Sequence, residues 1–246
     1  MYLTIQAIVL RVTDYNDRDA LLTVLTRNHG KLTIKARGLR RKNSPLIAPC
    51  QLLAFGEFTL FEYRGMYTIN EAHSIELFQH LRRDLTKLSL GTYFAQVAEV
   101  ISQEDLPNPE LQALLLNCLY ALSSLDLPEN QVKAAFELRV ACLAGYTPDL
   151  FGCHVCGMET PDRFDLSAGS LECSTCGRGA GGIRMPVNPG MLQAMRYICM
   201  CEPKKLLGFT LGKENMDKLC SLTEGYLATQ LERGFSTLDF YKSLLI

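Results

Sequence analysis

The chain has 246 residues, 48% of them hydrophobic and 21% charged, enough for one large domain or two small ones with real cores. Twenty-five Lys and Arg against twenty-six Asp and Glu give a formal net charge of -1, which excludes a globally basic, histone-like chain and a strongly acidic, disordered one. A local basic face survives such a sum, because net charge hides segregation. The longest apolar stretch, Leu111 to Leu125, is interrupted by Gln112, Asn117, Ser123 and Ser124 and is no membrane span. The start, Met1 to Gln6, carries no early Lys or Arg and no cleavage pattern follows, so the chain is read as cytoplasmic.

The first eighty residues read as β. Tyr2 to Val12 is a β-branched run bounded by the polar turn Asp14-Tyr15-Asn16-Asp17. Leu21 to Thr26, the turn Asn28-His29-Gly30, and Lys31 to Ala36 form a hairpin pattern. Further strands are predicted at Cys50 to Tyr63 and Met66 to Leu77, joined at Arg64-Gly65. Short strands in this number without helical periodicity predict a small barrel or sandwich.

After His80 the period changes. Leu81, Leu85, Leu88, Phe94, Val97 and Ile101 predict an amphipathic helix stopped by Pro107 and Pro109. Glu110 to Leu125 repeats the pattern, and Gln131 to Ala144 gives a third helix, ended by Gly145 with Pro148 beyond. Residues 150 to 185 are rich in Gly, Cys, Asp and Ser, too polar for a core of their own. Pro189 to Met200, Lys213 to Glu232 and Thr237 to Leu245 are further predicted helices. The helices on both sides of the Cys segment are expected to form one bundle with that segment inserted.

Cys153-His154-Val155-Cys156 and Cys173-Ser174-Thr175-Cys176 are two C-x-x-C pairs separated by sixteen residues. Each pair puts two thiolates on one side of a small loop, and two loops complete a tetrahedral sulfur shell suited to Zn²⁺. Gly157 and Gly177 follow the pairs, where glycine lets the chain reverse with backbone N–H groups turned to the sulfurs. Four thiolates leave no open position for water, which makes such a zinc structural, one per chain. A redox C-x-x-C is the competing reading, but it wants a thioredoxin-like βαβ context that this stretch lacks. His154 inside the first pair is a further, weaker ligand candidate. Cys199 and Cys201 read as core or surface thiols, and Cys50, Cys118, Cys142 and Cys220 as small apolar residues.

Between residues 27 and 42 lie Arg27, Lys31, Lys35, Arg37, Arg40, Arg41 and Lys42, seven cations with no carboxylate among them. The rest of the chain then holds eighteen basic against twenty-six acidic residues, a balance of -8. A solvated strand face would account for one or two lysines; seven cations on one hairpin and its loop point to a phosphate backbone. Gly38 gives Arg40, Arg41 and Lys42 the reading of a mobile loop that orders on its ligand. Tyr15, Phe55, Phe58, Phe61, Tyr63 and Tyr67 lie in the same β region, where aromatic faces stack on bases or fill the core. Phe55 and Phe61 share one strand face and Phe58 the other. No Ser/His/Asp set, H-E-x-x-H, P-loop or G-x-G-x-x-G occurs, so the chain is not read as an enzyme.

Ala7-Ile8-Val9-Leu10-Arg11, Leu25-Thr26-Arg27-Asn28-His29-Gly30-Lys31-Leu32 and Lys35-Ala36-Arg37-Gly38-Leu39-Arg40-Arg41 resemble the amino-terminal domain of the bacterial RecO family. Ala135-Phe136-Glu137-Leu138-Arg139, followed by Gly145-Tyr146-Thr147-Pro148-Asp149-Leu150 and Cys153-x-x-Cys156-Gly157, is similar to that family's helix-to-zinc junction. The closing segment, with Tyr226-Leu227, Ser236, Phe240 and Leu244, is similar too. The resemblance implies an α+β chain: an OB-fold β-barrel at 1–80 that binds DNA, a helical domain at 81–149 and 186–246, and a four-cysteine zinc-binding insertion at 150–185. It implies a nucleoid-associated recombination mediator of DNA repair that binds single- and double-stranded DNA and anneals complementary strands. Acting with RecR, such a protein helps load RecA onto DNA coated by single-strand binding protein (SSB). For the acidic C-terminal tail of SSB, Arg139, Arg196, Lys204 and Lys205 are candidate contacts. A zinc-ribbon RNA-binding or transcription-associated factor, and an adaptor docking an acidic protein, are the alternatives.

Overall fold

The structure, a computed structural model, describes residues 1–176 and 182–245. Gly177, expected to shape the second cysteine turn, lies outside the described residues. The chain divides into two compact units, Met1–Asp126 with Phe235–Ile246, and Leu127–Gly234.

In the first unit, β1 (Tyr2–Asp14), β2 (Ala20–Thr26), β3 (Lys31–Ala36), β4 (Phe55–Tyr63) and β5 (Met66–Glu76) close a barrel in the order β1-β2-β3-β5-β4. All neighbours are antiparallel except β3 and β5, the five-stranded Greek-key closure of an OB-fold. One long strand serves two partners: β1 pairs β4 through its first half and β2 through its second, with a bulge between Val9 and Arg11 that bends it round. Inward-facing Ile5, Ala7, Val9, Leu22, Val24, Leu32, Ile34, Phe58, Leu60 and Ile69 fill the barrel. Ile8, Leu10 and Leu25 face outward yet are buried as well, so β1 and β2 are covered on both sides.

That cover is helical. Asp84 caps α1 (Leu85–Ile101), its carboxylate accepting from the N–H groups of Thr86 and Lys87, and Asn108 caps α2 (Pro109–Ser124), with Pro109 in the first turn. Pro109 therefore begins a helix, where the sequence pattern predicts that it stops one. The Gln112 amide of α2 donates to the carbonyls of Gln6 and Leu25 at 3.3 and 3.0 Å, pinning the helix across β1 and β2. The β3–β5–β4 side keeps its outer face open, with most of β5 exposed. The last helix of the chain, α6 (Ser236–Ser243), belongs to this unit and packs on α1; Phe235 meets Tyr93 edge-on at 5.5 Å.

The second unit holds α3 (Glu129–Leu143), α4 (Pro189–Met200) and α5 (Lys213–Gln230) and a four-stranded sheet in the order β6-β8-β7-β9 (Asp149–Cys153, Ser170–Glu172, Arg163–Asp165, Arg184–Pro186). The expectation of one bundle is thus corrected: α1, α2 and α6 go with the barrel, and α3, α4 and α5 with the cysteine segment. The cysteine segment also has apolar content the composition understates. Phe164 and Leu171 are fully buried, and Phe164 packs edge-on against Tyr226 of α5 at 5.2 Å. Among the described residues no helix is long and apolar enough to cross a membrane.

Candidate nucleic-acid interface and metal centre

One end of the barrel gathers the β1–β2 turn and the segment after β3. The turn between β1 and β2 presents Asp19, whose carboxylate accepts the Gly38 N–H at 2.9 Å, and the Arg40 N–H donates to the Arg18 carbonyl at 3.1 Å. The segment after β3 is therefore fastened to the β1–β2 turn, and the expectation of a mobile loop hinged at Gly38 is corrected. β3 pairs β5 in parallel at Ile34↔Tyr67 and Lys35↔Thr68, which sets the tight turn between β4 and β5 beside the start of β3, away from the β1–β2 turn, although Arg37 and Arg64 border one cavity. The Gly38 N–H, then the Asn16 side chain, and then Lys35 hold the Asp19 carboxyl below its ordinary value of 3.8.

The seven cations of the run do not form one patch. Arg27 and Lys31 stand at the opposite end of β3 from Arg37, roughly 20 Å away for a six-residue strand at about 3.3 Å per residue. Lys31 turns its ammonium to the Glu99 carbonyl at the end of α1, 3.0 Å away. Lys35 is half-buried, 3.4 Å from Asp19 and 4.3 Å above the Tyr15 ring, and Arg40 pairs with Asp14 at 2.8 Å. Two cations are therefore answered by carboxylates from the preceding turn, which a count restricted to residues 27–42 cannot register. Arg27, Arg37, Arg41 and Lys42 are exposed and make no ion pair among the described residues. At the loop end the balance stays positive: Arg18, Lys35, Arg37, Arg40, Arg41 and Lys42 against Asp14, Asp17 and Asp19. Arg64 was missed because it lies outside the run, in a dipeptide read only as a turn. As the alternation on β4 predicts, Phe58 is fully buried and Phe61 exposed.

In the second unit, Arg139 donates to the carbonyls of Cys199 and Cys201 at the end of α4, and Arg196 donates twice to the Leu150 carbonyl. Both guanidinium groups hold backbone. Lys205 pairs with Glu202 at 3.1 Å, while Lys204 is exposed.

The metal-ligating set is better gathered. The Sγ atoms of Cys153, Cys156, Cys173 and Cys176 all lie within 4.8 Å of one another, and those of Cys156 and Cys173 are 3.8 Å apart. A tetrahedron with metal–sulfur bonds of about 2.3 Å has an edge of about 3.8 Å, so the cluster fits a four-thiolate ion. Cys153 ends β6 and Cys173 follows β8, so the parallel pairing of these strands brings the two turns together. Gly157 has φ 74, as a tight reversal requires, but its N–H goes to the Cys153 carbonyl at 2.8 Å. The Cys173 N–H reaches a sulfur, 3.4 Å from Cys153 Sγ. Burial pushes the Cys153 thiol up, but the N–H groups of Cys156, Cys173 and Val155 outweigh it and hold the thiol at about 6. The neighbouring Cys173 and Cys156 thiols push Cys176 up to about 12, the mark of sulfurs crowded into one shell. His154 turns its ring to the Leu171 carbonyl and Ser170 and is not in the cluster. Cys50 and Cys118 are buried thiols, as expected, whereas Cys142 lies 3.6 Å from Cys199 across the α3–α4 packing.

Comparison with known proteins agrees with this architecture. A family profile described as "Recombination protein O N terminal" matches residues 1–78, and one described as "Recombination protein O C terminal" matches residues 82–239. The DNA repair protein RecO of Acetivibrio thermocellus is 31% identical over 245 residues, covering 99% of this chain and 97% of its own. Proteins of the same description from Alkaliphilus metalliredigens and Symbiobacterium thermophilum are 27% and 29% identical, covering 99% and 98% of this chain and 100% and 96% of their own.

Proposed function

The chain belongs to the RecO family of DNA repair proteins, and from that premise we propose that it binds single- and double-stranded DNA through the loop end of its barrel and anneals complementary strands. The observation that carries this reading is the trio Arg37, Arg41 and Lys42, exposed on a loop fastened to the barrel and free of ion pairs among the described residues. Cations held this way meet phosphates without first breaking an internal pair. Neutralising phosphates on two strands at once lowers their repulsion and lets bases meet, a process that needs no nucleotide hydrolysis and so no catalytic residues. Arg40 and Lys35 join by exchanging Asp14 and Asp19 for phosphate, and Arg27 and Lys31 extend the track along β3. Family membership supports the larger role: with RecR, loading RecA onto SSB-coated DNA, with the SSB C-terminal tail as a further partner. In this reading residues 1–80 are the DNA-binding part and 150–185 the zinc module, while the helices of 81–149 and 186–246 are shared between the two units. Zinc, one per chain, is the ion that the four thiolates select, in a structural role.

The test is salt-dependent binding of the Arg37→Ala/Arg40→Ala/Arg41→Ala variant. Affinity for duplex and single strands falls, and the slope of log affinity against log salt shrinks by about two to three units on duplex, near 0.9 per lost phosphate contact. Fluorescent annealing of SSB-coated complementary strands slows in parallel. Unchanged affinity and slope would remove this loop from the function.

A further inference from the structure

Aromatic residues on a small barrel belong inside, and a group beside the β4–β5 turn departs from that. Tyr2 is 63% exposed, Phe61 41%, Tyr63 60% and Met66 63%, and these four stand together. Strand register sets Tyr2 opposite Phe61 and Tyr63 opposite Met66, and the Tyr2 and Phe61 rings lie 5.4 Å apart, tilted at 55°. They line a cavity of about 560 Å³ that Arg37 and Arg64 also border, with no carboxylate in its lining. Helices α1 and α2 cover the β1–β2 side of the barrel and leave this group open.

The turn adds an independent observation. Arg64 and Gly65 have φ 51 and 74, a two-residue hairpin turn with both residues left-handed, where Asn-Gly is the unstrained choice. Here an arginine occupies the strained position, its guanidinium carbon 5.2 Å from the centre of the Tyr63 ring. Strain kept at a solvent-exposed turn calls for a use of the side chain it presents.

We propose that this cavity is a base-stacking cleft for single-stranded DNA, in which unpaired bases lie against Tyr63 and Phe61 while Arg37 and Arg64 meet the flanking phosphates. Open aromatic faces between guanidinium groups suit a polyanion that carries exposed π-faces; a duplex hides those faces within its own stack. The proposal rests on the DNA-binding reading above and deepens it, since it separates contacts that see any phosphate from contacts that see a base.

Binding of the full-length protein to three probes tests it: oligothymidylate, an abasic strand of the same length, and duplex. The wild type favours oligothymidylate over the abasic strand. Tyr63→Ala and Phe61→Ala, both at exposed positions, each lower oligothymidylate affinity about tenfold and leave abasic and duplex affinity and the salt slope unchanged. Tyr63→Phe restores the preference. Arg64→Asn suits the turn, so it raises the melting temperature while weakening oligothymidylate binding. Wild-type affinity of the Tyr63→Ala and Phe61→Ala variants for oligothymidylate would overturn the cleft. Equal wild-type affinity for abasic and thymidine strands would do the same while sparing the DNA-binding reading. No binding to any of the three would overturn both.

Discussion

Asp19 accepts the Gly38 N–H, stands 3.4 Å from the Lys35 ammonium and closes the β1–β2 turn through Asn16. One carboxylate thus orients the segment that displays Arg37, Arg41 and Lys42. Its folded acidity lies below 3.8, so the anchoring contributes fully above that value and is lost as pH falls through the lowered one. The Gly38 amide resonance, which reports the carboxylate it donates to, is expected to titrate with a midpoint below 3.8. A midpoint at or above the ordinary value would mean that the contact does not hold the loop. Asp19→Ala speeds Gly38 amide exchange at neutral pH for the same reason. The run of cations was plain in the sequence because charge is local information. Asp14 and Asp19 as its counterions were not, since the contact depends on strand closure that brings residue 19 to residue 38.

Helix α3 shows where periodicity stops being a guide. Its position was legible from residues 131 to 144, but from Gln131 through Leu138 every residue is buried, so there is no polar stripe to say which face packs where. Lys133 and Glu137 stand one turn apart, the spacing at which surface helices form ion pairs. In the structure they are 2% and 0% exposed, 2.8 Å apart, with Glu224 of α5 2.8 Å from the same ammonium and Thr223 donating to Glu137. Burial works against the lysine's charge, and Glu137, then Cys220 and Glu224, outweigh it and raise its pKa. Lys133→Met leaves two carboxylates facing each other without their cation, and urea denaturation should show a loss of about 3–5 kcal/mol. Lys133→Met/Glu137→Leu recovers part of that, because it removes a buried charge along with its partner. A loss under about 1 kcal/mol in the single variant would mean that water reaches the site. The strands β6 to β9 escaped sequence reading for another reason. Three are three residues long, too short for alternation to show, and the sheet is held by the cysteine cluster and by Phe164 against Tyr226.

The two C-x-x-C pairs were the most legible feature of the molecule, since spacing alone fixes how sulfurs meet; the course of the chain between units was the least. It leaves the first unit at Asp126 and re-enters at Phe235, so the barrel's unit is completed by its final helix. Helical periodicity marks a face to be buried without naming the surface that buries it, which is why α6 and α3 read alike. The division has a consequence for the metal. All four thiolates lie in Leu127–Gly234, on turns that follow β6 and β8, whereas the barrel's core is built from β1 to β5. Stripping the ion with a thiol-directed mercurial and chelator should release one zinc per chain, as should Cys153→Ser or Cys173→Ser. Hydrogen exchange should then rise across residues 149–172, because like-charged thiolates without a cation push the two turns apart. Protection in β1 to β5 and affinity for oligothymidylate should stay as they were. If the barrel strands lose protection as well, the metal stabilises the chain as one cooperative whole; if residues 149–172 keep theirs, Phe164 and Leu171 hold the small sheet without it.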